Sequence, residues 1–343
     1  MENKPFVFGV AASGDNFTDR ESETARLLMN FRSGVNTVLI SPRRWGKTSL
    51  VRKVCRLAQT DELKIVYLDI FSCRSDADFY DAFASAVLKQ TSTKVEEWME
   101  NIRQFLSRIS PKISLGADPA ADFSFSLELT PKREDIDEIL QLPEKIAEKK
   151  GCRIVVCIDE FQQIGKYPEK NIEALLRSHI QHLGNVNFIF SGSETNMLSQ
   201  MFMSSARPFY HSASMLELKP IDPEKYSEFV IRHFEKGKKK IAPEAVSKVY
   251  GLFEGNTYCM QKTFHEAYAT VPEGGECTVA ILRETVDSII EEASVGYRMM
   301  LSDIPLRQKE LLYAVAGDVR AHKIMGVDFL RRHSLASSSA VQT

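Results

Sequence analysis

Through the first 220 residues, short apolar runs alternate with stretches whose apolar positions recur at helical spacing. Thr37–Ile40, Ile65–Ile70, Ile154–Ile158, Val186–Phe190 and Met215–Leu218 read as strands. Between and around them the spacing predicts helices over 20–33, 47–58, 76–90, 95–109 and 168–183. Ala25, Leu28, Met29 and Phe31 share roughly one side of the first helix, and Gly34 supplies its stop. Strands that are apolar throughout, alternating with amphipathic helices, predict an α/β fold whose parallel sheet is buried on both faces. Residues 111–130 break the rhythm. Pro111, Gly116, Pro119 and the alternation Phe123, Phe125, Leu127, Leu129 predict a β-hairpin inserted outside that sheet. After Pro220 the strands stop and helices are expected near 222–235, 242–253, 256–270, 278–300 and 305–316. The expected division is an α/β core over 1–220, a helical lid over 221–300 and a terminal module over 301–343.

Composition narrows the class. The 343 residues are 43% hydrophobic and 26% charged, as in a folded globular chain. The net charge of −2 leaves no global basic field to recruit nucleic acid or anionic lipid. Six scattered cysteines form no C-x-x-C pair, which argues against zinc or a disulfide framework and suits a reducing cytoplasm. The apolar stretch Phe6–Ala12 reads as a short strand or arm, and no apolar run approaches a membrane span.

The chemistry is concentrated after the first strand. Ser41-Pro42-Arg43-Arg44-Trp45-Gly46-Lys47-Thr48 matches G-x-x-x-x-G-K-[ST] except at its first position, where Ser41 replaces Gly. In such a phosphate loop (Walker A) the backbone N–H groups and the helix N-terminus cradle phosphates. Lys47 is expected on the β/γ-phosphates, the Thr48 hydroxyl in a Mg²⁺ shell, and Gly46 where the backbone must approach the ligand. The run Ile154–Ile158 ends in Asp159-Glu160, an acidic pair at the carboxyl end of a buried strand (Walker B). Asp159 is expected to orient Mg²⁺ and Glu160 to polarise an attacking water. A third strand ends in Ser191-Gly192-Ser193, where a hydroxyl would meet the water or the γ-phosphate.

Together these words resemble the AAA+-like P-loop ATPases, and most nearly the prokaryotic archaeal-ATPase family of STAND-type NTPases. Phe17-Thr18-Asp19-Arg20-Glu21-Ser22-Glu23 is similar to that family's F-x-G-R-E-x-E box, and Gly255-Asn256-Thr257-Tyr258 to its G-N-P-[YF] lid motif. The phosphate loop through Ser49 and Leu50, and the run Val156–Gln162, complete the likeness, which spans about residues 15–270. Asp19 and Ser41 stand where the family prefers Gly, and Thr257 where it has Pro. The resemblance implies a five-stranded parallel ATPase core, a helical lid, ATP with Mg²⁺, and often a C-terminal winged helix. It implies that Phe17 and Arg20 line the base pocket and that Asn256 faces the nucleotide from the lid. It also implies that Ser191 acts as the sensor-1 residue and Arg207 as a distal arginine finger. Adenine rests on this likeness; no Asn-Lys-x-Asp guanine-reading box occurs.

Residues 304–343 read as helices over Leu306–Val315 and Gly326–Arg332 and a third opening at Ser337, the spacing of a helix-turn-helix. The chain stops at Thr343, so an incomplete or truncated module is expected. Six basic and three acidic residues give it a net +3, a mild patch. Lys236-Gly237-Lys238-Lys239-Lys240 reads as a solvated loop. Three functions stay open: an ATP-hydrolysing conformational switch acting on an unidentified protein partner, a nucleotide-loaded scaffold with negligible hydrolysis, and a DNA-directed ATPase working through the terminal module. Glu160 beside Asp159 suits water activation better than phosphotransfer.

Overall fold

The computed structural model describes residues 5–107, 133–169, 171–318 and 323–335. The hairpin expected over 111–130 and the helix expected from Ser337 lie outside them. Five strands form one parallel sheet: β1 (Thr37–Ile40), β2 (Leu63–Asp69), β3 (Arg153–Asp159), β4 (Val186–Gly192) and β5 (Ser214–Glu217), in the spatial order β2-β3-β4-β1-β5. β1 and β4 are buried along their whole length and β3 is buried after its first residue, as their unbroken apolar runs demand.

Alternate residues of each strand feed two cores. Leu39, Val155, Cys157 and Ile189 face α1 (Glu21–Ser33) and α2 (Lys47–Ala58), which contribute Leu27, Phe31, Leu50 and Val54. Val38, Val156, Ile158 and Phe190 face the opposite layer. That layer holds α3 (Asp76–Thr91), α4 (Val95–Leu106), α5 (Arg133–Lys150), α6 (Ile172–Ile180) and α7 (Thr195–Met203). Ser75 opens α3 with a capping box, its hydroxyl accepting from the Asp78 amide while the Asp78 side chain accepts from the Ser75 amide. α5, which carries Pro143 within it, and α7 were not among the predicted helices.

A third core belongs to the lid, built from α8 (Pro223–Lys236), α9 (Pro243–Phe253), α10 (Thr257–Thr270) and the start of α11 (Val279–Ser302). Asp222 caps α8 and Asn256 caps α10. The expectation of helices alone after Pro220 needs one correction: Lys240–Ile241 and Glu276–Cys277 pair as a two-residue parallel ladder. The N-terminal stretch is an arm, not a strand. Phe6, fully buried, plugs the lid core among Phe229, His233, Phe234, Phe264 and Tyr268. The lysine run of 236–240 is tied down: Lys236 pairs with Asp15, Lys238 with Glu273, and Lys239 donates to the Tyr268 carbonyl. Of the terminal module, α12 (Leu306–Gly317) and α13 (Val327–Arg332) fall where two of its helices were expected. No helix among the described residues is long and apolar enough to cross a membrane.

Candidate active site

Sheet order decides which residues meet. Because β4 lies between β1 and β3, the phosphate loop leaving β1 and the acids ending β3 flank the carboxyl end of β4. Register places Ser191 beside Leu39 and Phe190 beside Ile158. The Ser191 hydroxyl therefore donates to Asp159 Oδ1 at 2.7 Å. The Glu160 amide donates to the same oxygen at 3.1 Å. Asp159 Oδ2 accepts from the Thr48 hydroxyl at 3.3 Å and from Tyr67 Oη at 2.9 Å. Burial and the adjacent carboxylate push the Tyr67 phenol up, so it stays a donor.

In the phosphate loop, Arg44 and Gly46 adopt left-handed φ of 68° and 86°. Open space surrounds the position a Gly46 Cβ would take, so it is the backbone φ that asks for glycine there. Ser41 is fully buried and is not among the residues of positive φ, so this turn needs no glycine at its first position. Lys47 is buried, its Nζ 3.4 Å from the Ser41 carbonyl. Desolvation lowers its pKa, opposed by the Asp159 and Glu160 carboxylates and reinforced by Arg43. Glu160, at φ 57°, departs from the strand so that its carboxylate enters the cleft. Its Oε2 accepts from Gln162 Nε2, from the Ser193 hydroxyl at 2.8 Å and from the Ser193 amide at 3.3 Å. Arg43 Nε reaches the same hydroxyl at 3.2 Å.

The cleft over these groups measures about 620 Å³. It is lined by loop residues 43–49, Phe71, Glu160 and Ser193, by Val7–Ala12, Asn16–Thr18, Arg20 and Ile221, and by three residues of α10, Thr257, Tyr258 and Gln261. Phe17 lines it with Lys53 Nζ 4.0 Å over its ring. Arg20, buried at φ 75°, donates to the Lys219 carbonyl at 2.7 Å and the Trp45 carbonyl at 3.5 Å. Asp19 holds φ 59° where the resembled family prefers Gly, and its carboxylate accepts from the Asp222 amide at 3.0 Å and from Lys225.

Among the expected site residues, Ser41, Pro42, Asp159, Ser191, Arg207 and Asn256 do not line the cleft. Asn256 spends its carbonyl on the Cys259 amide at 3.1 Å, and it is Thr257, Tyr258 and Gln261 that line the cleft. Ser191 is buried against Asp159, while Ser193 lines the cleft. Arg207 is bonded to Glu173 of α6 and lies outside the cleft lining. Tyr67, Gln162 and Gln261 carry no site role in the sequence reading, and the arm carries none beyond being an arm; of the strand-end pair Ser191 and Ser193, the sensor role falls on Ser191. Ser193 had the one visible signal, a hydroxyl residue just past a strand end.

The donor set suits Mg²⁺. The Thr48 hydroxyl and the Asp159 carboxylate set two hard oxygens 3.3 Å apart. Mg²⁺ is bound in that manner, through one or two protein oxygens with waters and phosphates completing the shell.

The chain belongs to a family of ATPase domains found predominantly in Archaea, whose model matches residues 17–262. Residues 295–343 match the family described as "Probable winged helix domain". No curated protein matches the sequence. Among solved structures the chain resembles a Walker-type ATPase of Pyrococcus abyssi, with TM-score 0.69 and 17% identity over 98% of this chain and 90% of that one. It also resembles the Aeropyrum pernix ORC2 protein in its ADPNP–ADP complexes, with TM-score 0.58 and 16% identity over 96% and 82% of the two chains. The ORC1 protein of the same organism in complex with DNA gives TM-score 0.51 and 15% identity over 94% and 78%. At these identities the likeness is one of fold.

Proposed function

We propose that this member of the ATPase family binds ATP with Mg²⁺ in the cleft, hydrolyses it, and uses lid closure and release as a conformational switch on a protein partner. The observation that carries the reading is the convergence of Lys47, Thr48, Asp159 and Glu160 beyond the carboxyl ends of β1 and β3, on either side of β4, under a cleft walled by arm and lid. The loop amides and the α2 N-terminus bind the phosphates, and the buried Lys47 ammonium balances their charge where water screens least. Thr48 and Asp159 would hold the Mg²⁺, which draws charge from the phosphoryl oxygens when bound. Glu160 takes the proton of the attacking water. Ser193 and Gln162 occupy its Oε2, and Oε1 takes no hydrogen bond among the described residues, which leaves that oxygen for the water. Asp159, fixed by four donors, keeps its place as charge develops.

Steady-state turnover and nucleotide titration of wild type, Lys47→Ala and Glu160→Gln test the reading. Glu160→Gln is expected to retain ATP and lose hydrolysis by on the order of 10²-fold or more; Lys47→Ala is expected to lose binding. Unchanged turnover in Glu160→Gln would leave a nucleotide-loaded scaffold instead. The winged-helix match favours a second reading, in which duplex DNA contacts the terminal module and stimulates turnover. Turnover indifferent to duplex DNA at low salt would remove it.

A further inference from the structure

Two polar side chains on one face of α10 each carry a buried oxygen without a partner among the described residues. Gln261 is 5% exposed, its Oε1 accepts nothing among the described residues, and the side chain lines the cleft. Thr257, four residues earlier and hence on the same helical face, also lines the cleft with its Oγ1 buried and unpaired. Buried carbonyl oxygens are rarely left unpaired, because the interior offers nothing in place of water. On a side chain that lines a cleft, such an oxygen is satisfied by a ligand that enters and turns the amide toward itself.

Its place identifies that ligand group. Tyr258, one turn nearer the phosphate loop, carries the Arg44 guanidinium 4.0 Å above its ring. The ring of Phe8 in the arm meets Tyr258 at 5.9 Å and His265 at 5.1 Å, so the arm runs along α10 and spans the turn that holds Gln261. With phosphates on the loop amides, the nucleoside falls between arm and helix. The surrounding wall is apolar there, with Val7, Phe8, Val10 and Ile221, which suits a flat base and leaves polar reading to few groups.

We propose that Gln261 is the residue that sets base specificity: its Oε1 accepts from the exocyclic 6-amino group of adenine while its Nε2 donates to the neighbouring ring nitrogen. With the amide held in that orientation, a 6-oxopurine sets its O6 against Oε1 and its N1–H against Nε2, so the cleft selects a 6-aminopurine. The inference deepens the nucleotide reading above and rests on it.

Calorimetric titration of the full chain with ATP and ITP, which differ at purine position 6, is the test. Wild type is expected to bind ATP at least about tenfold tighter than ITP. Gln261→Leu is expected to weaken ATP roughly tenfold and to bring the two nucleotides within about threefold of each other. Wild type is also titrated with N6,N6-dimethyl-ATP, which has no donor at position 6, so the outcome does not depend on a variant folding; a loss of about tenfold is expected. Equal binding of ATP and ITP by wild type, undiminished binding of the dimethyl analogue, or a preference that survives in folded Gln261→Leu overturns the assignment and leaves the ATPase reading standing. Failure of wild type to bind any of the three overturns both.

Discussion

Removing the Phe6 ring tests how the cleft is walled. The side chain is fully buried, with ring centroids of Phe229, His233, Phe234, Phe264 and Tyr268 at 5.3–5.9 Å. Truncating such a residue to alanine costs about 3–5 kcal/mol in a well-packed core. Against that loss, three polar ties hold the arm: the Phe6 amide donates to Asn16 Oδ1 at 3.1 Å, the Ala12 amide to Ser49 Oγ at 2.9 Å, and His265 Nδ1 to the Pro5 carbonyl at 3.4 Å. Each contributes roughly 0.5–1.5 kcal/mol net, the longest least, so the three together fall short of the ring. The arm is therefore expected to leave the lid in Phe6→Ala. The loss of global stability then stops at the arm's own docking energy, and nucleotide affinity falls because Val7–Ala12 line the cleft. Urea unfolding, limited proteolysis of the N-terminus and ATP titration read these separately. The expected pattern is early cleavage of the arm and ATP binding weakened about tenfold or more. Phe6→Leu, which keeps most of the apolar volume, should lie between the two. A Phe6→Ala protein that binds ATP within twofold of wild type would refute the arm as a wall of the site.

Acid should loosen the lid. His233 donates from Nε2 to the Asp15 carbonyl at 2.9 Å, and burial, helped by Arg232 and Lys236, holds its pKa below the usual 6.5. The unfolded chain thus binds the extra proton first, and stability present above pH 6.5 declines as pH falls through that value; urea unfolding over a pH series should show a slope that His233→Gln flattens. Arg207→Ala leaves the buried Glu173 carboxylate, whose pKa burial already raises, without its cation. A stability loss of about 1–3 kcal/mol with turnover per folded molecule unchanged is expected, and a turnover defect in a fully stable variant would restore the arginine-finger role. Ser41→Gly should leave ATP affinity within about twofold, since the Ser41 backbone needs no left-handed freedom, and lower stability by about 0.4–1 kcal/mol; a tenfold gain in affinity would contradict the geometry of the turn.

What could be read in advance was what is written locally. A strand, a turn and a helix opening on Lys47-Thr48 are contiguous in sequence, and Asp159-Glu160 close the most apolar strand. Ser191 was legible as a strand-end hydroxyl, but its bond to Asp159 depends on β4 lying between β1 and β3, which adjacency in sequence does not encode. Tyr67 reaches the same carboxylate because β2 runs beside β3 in register, Asp69 against Asp159. The arm and Gln261 belong to segments near opposite ends of the ATPase region, and only tertiary packing through Phe6 and Phe8 brings them to one cleft. α5 is illegible in the sequence because Pro143 interrupts a strongly charged pattern that packing of Ile139, Leu140, Ile146 and Ala147 overrides.

The stretch from Asp15 to Glu21 grips both halves of the ATPase region. It reaches α8 through the Asp15 carbonyl, the Asp15–Lys236 pair and the hold of Asp19 and Glu21 on Lys225, and it reaches the strand-to-lid connection and the phosphate loop through Arg20. Lid and loop therefore hang on one short lever. A swing of α8 large enough to open the cleft must either snap these ties or turn α1 with it, so lid and loop are yoked without any linkage through the sheet.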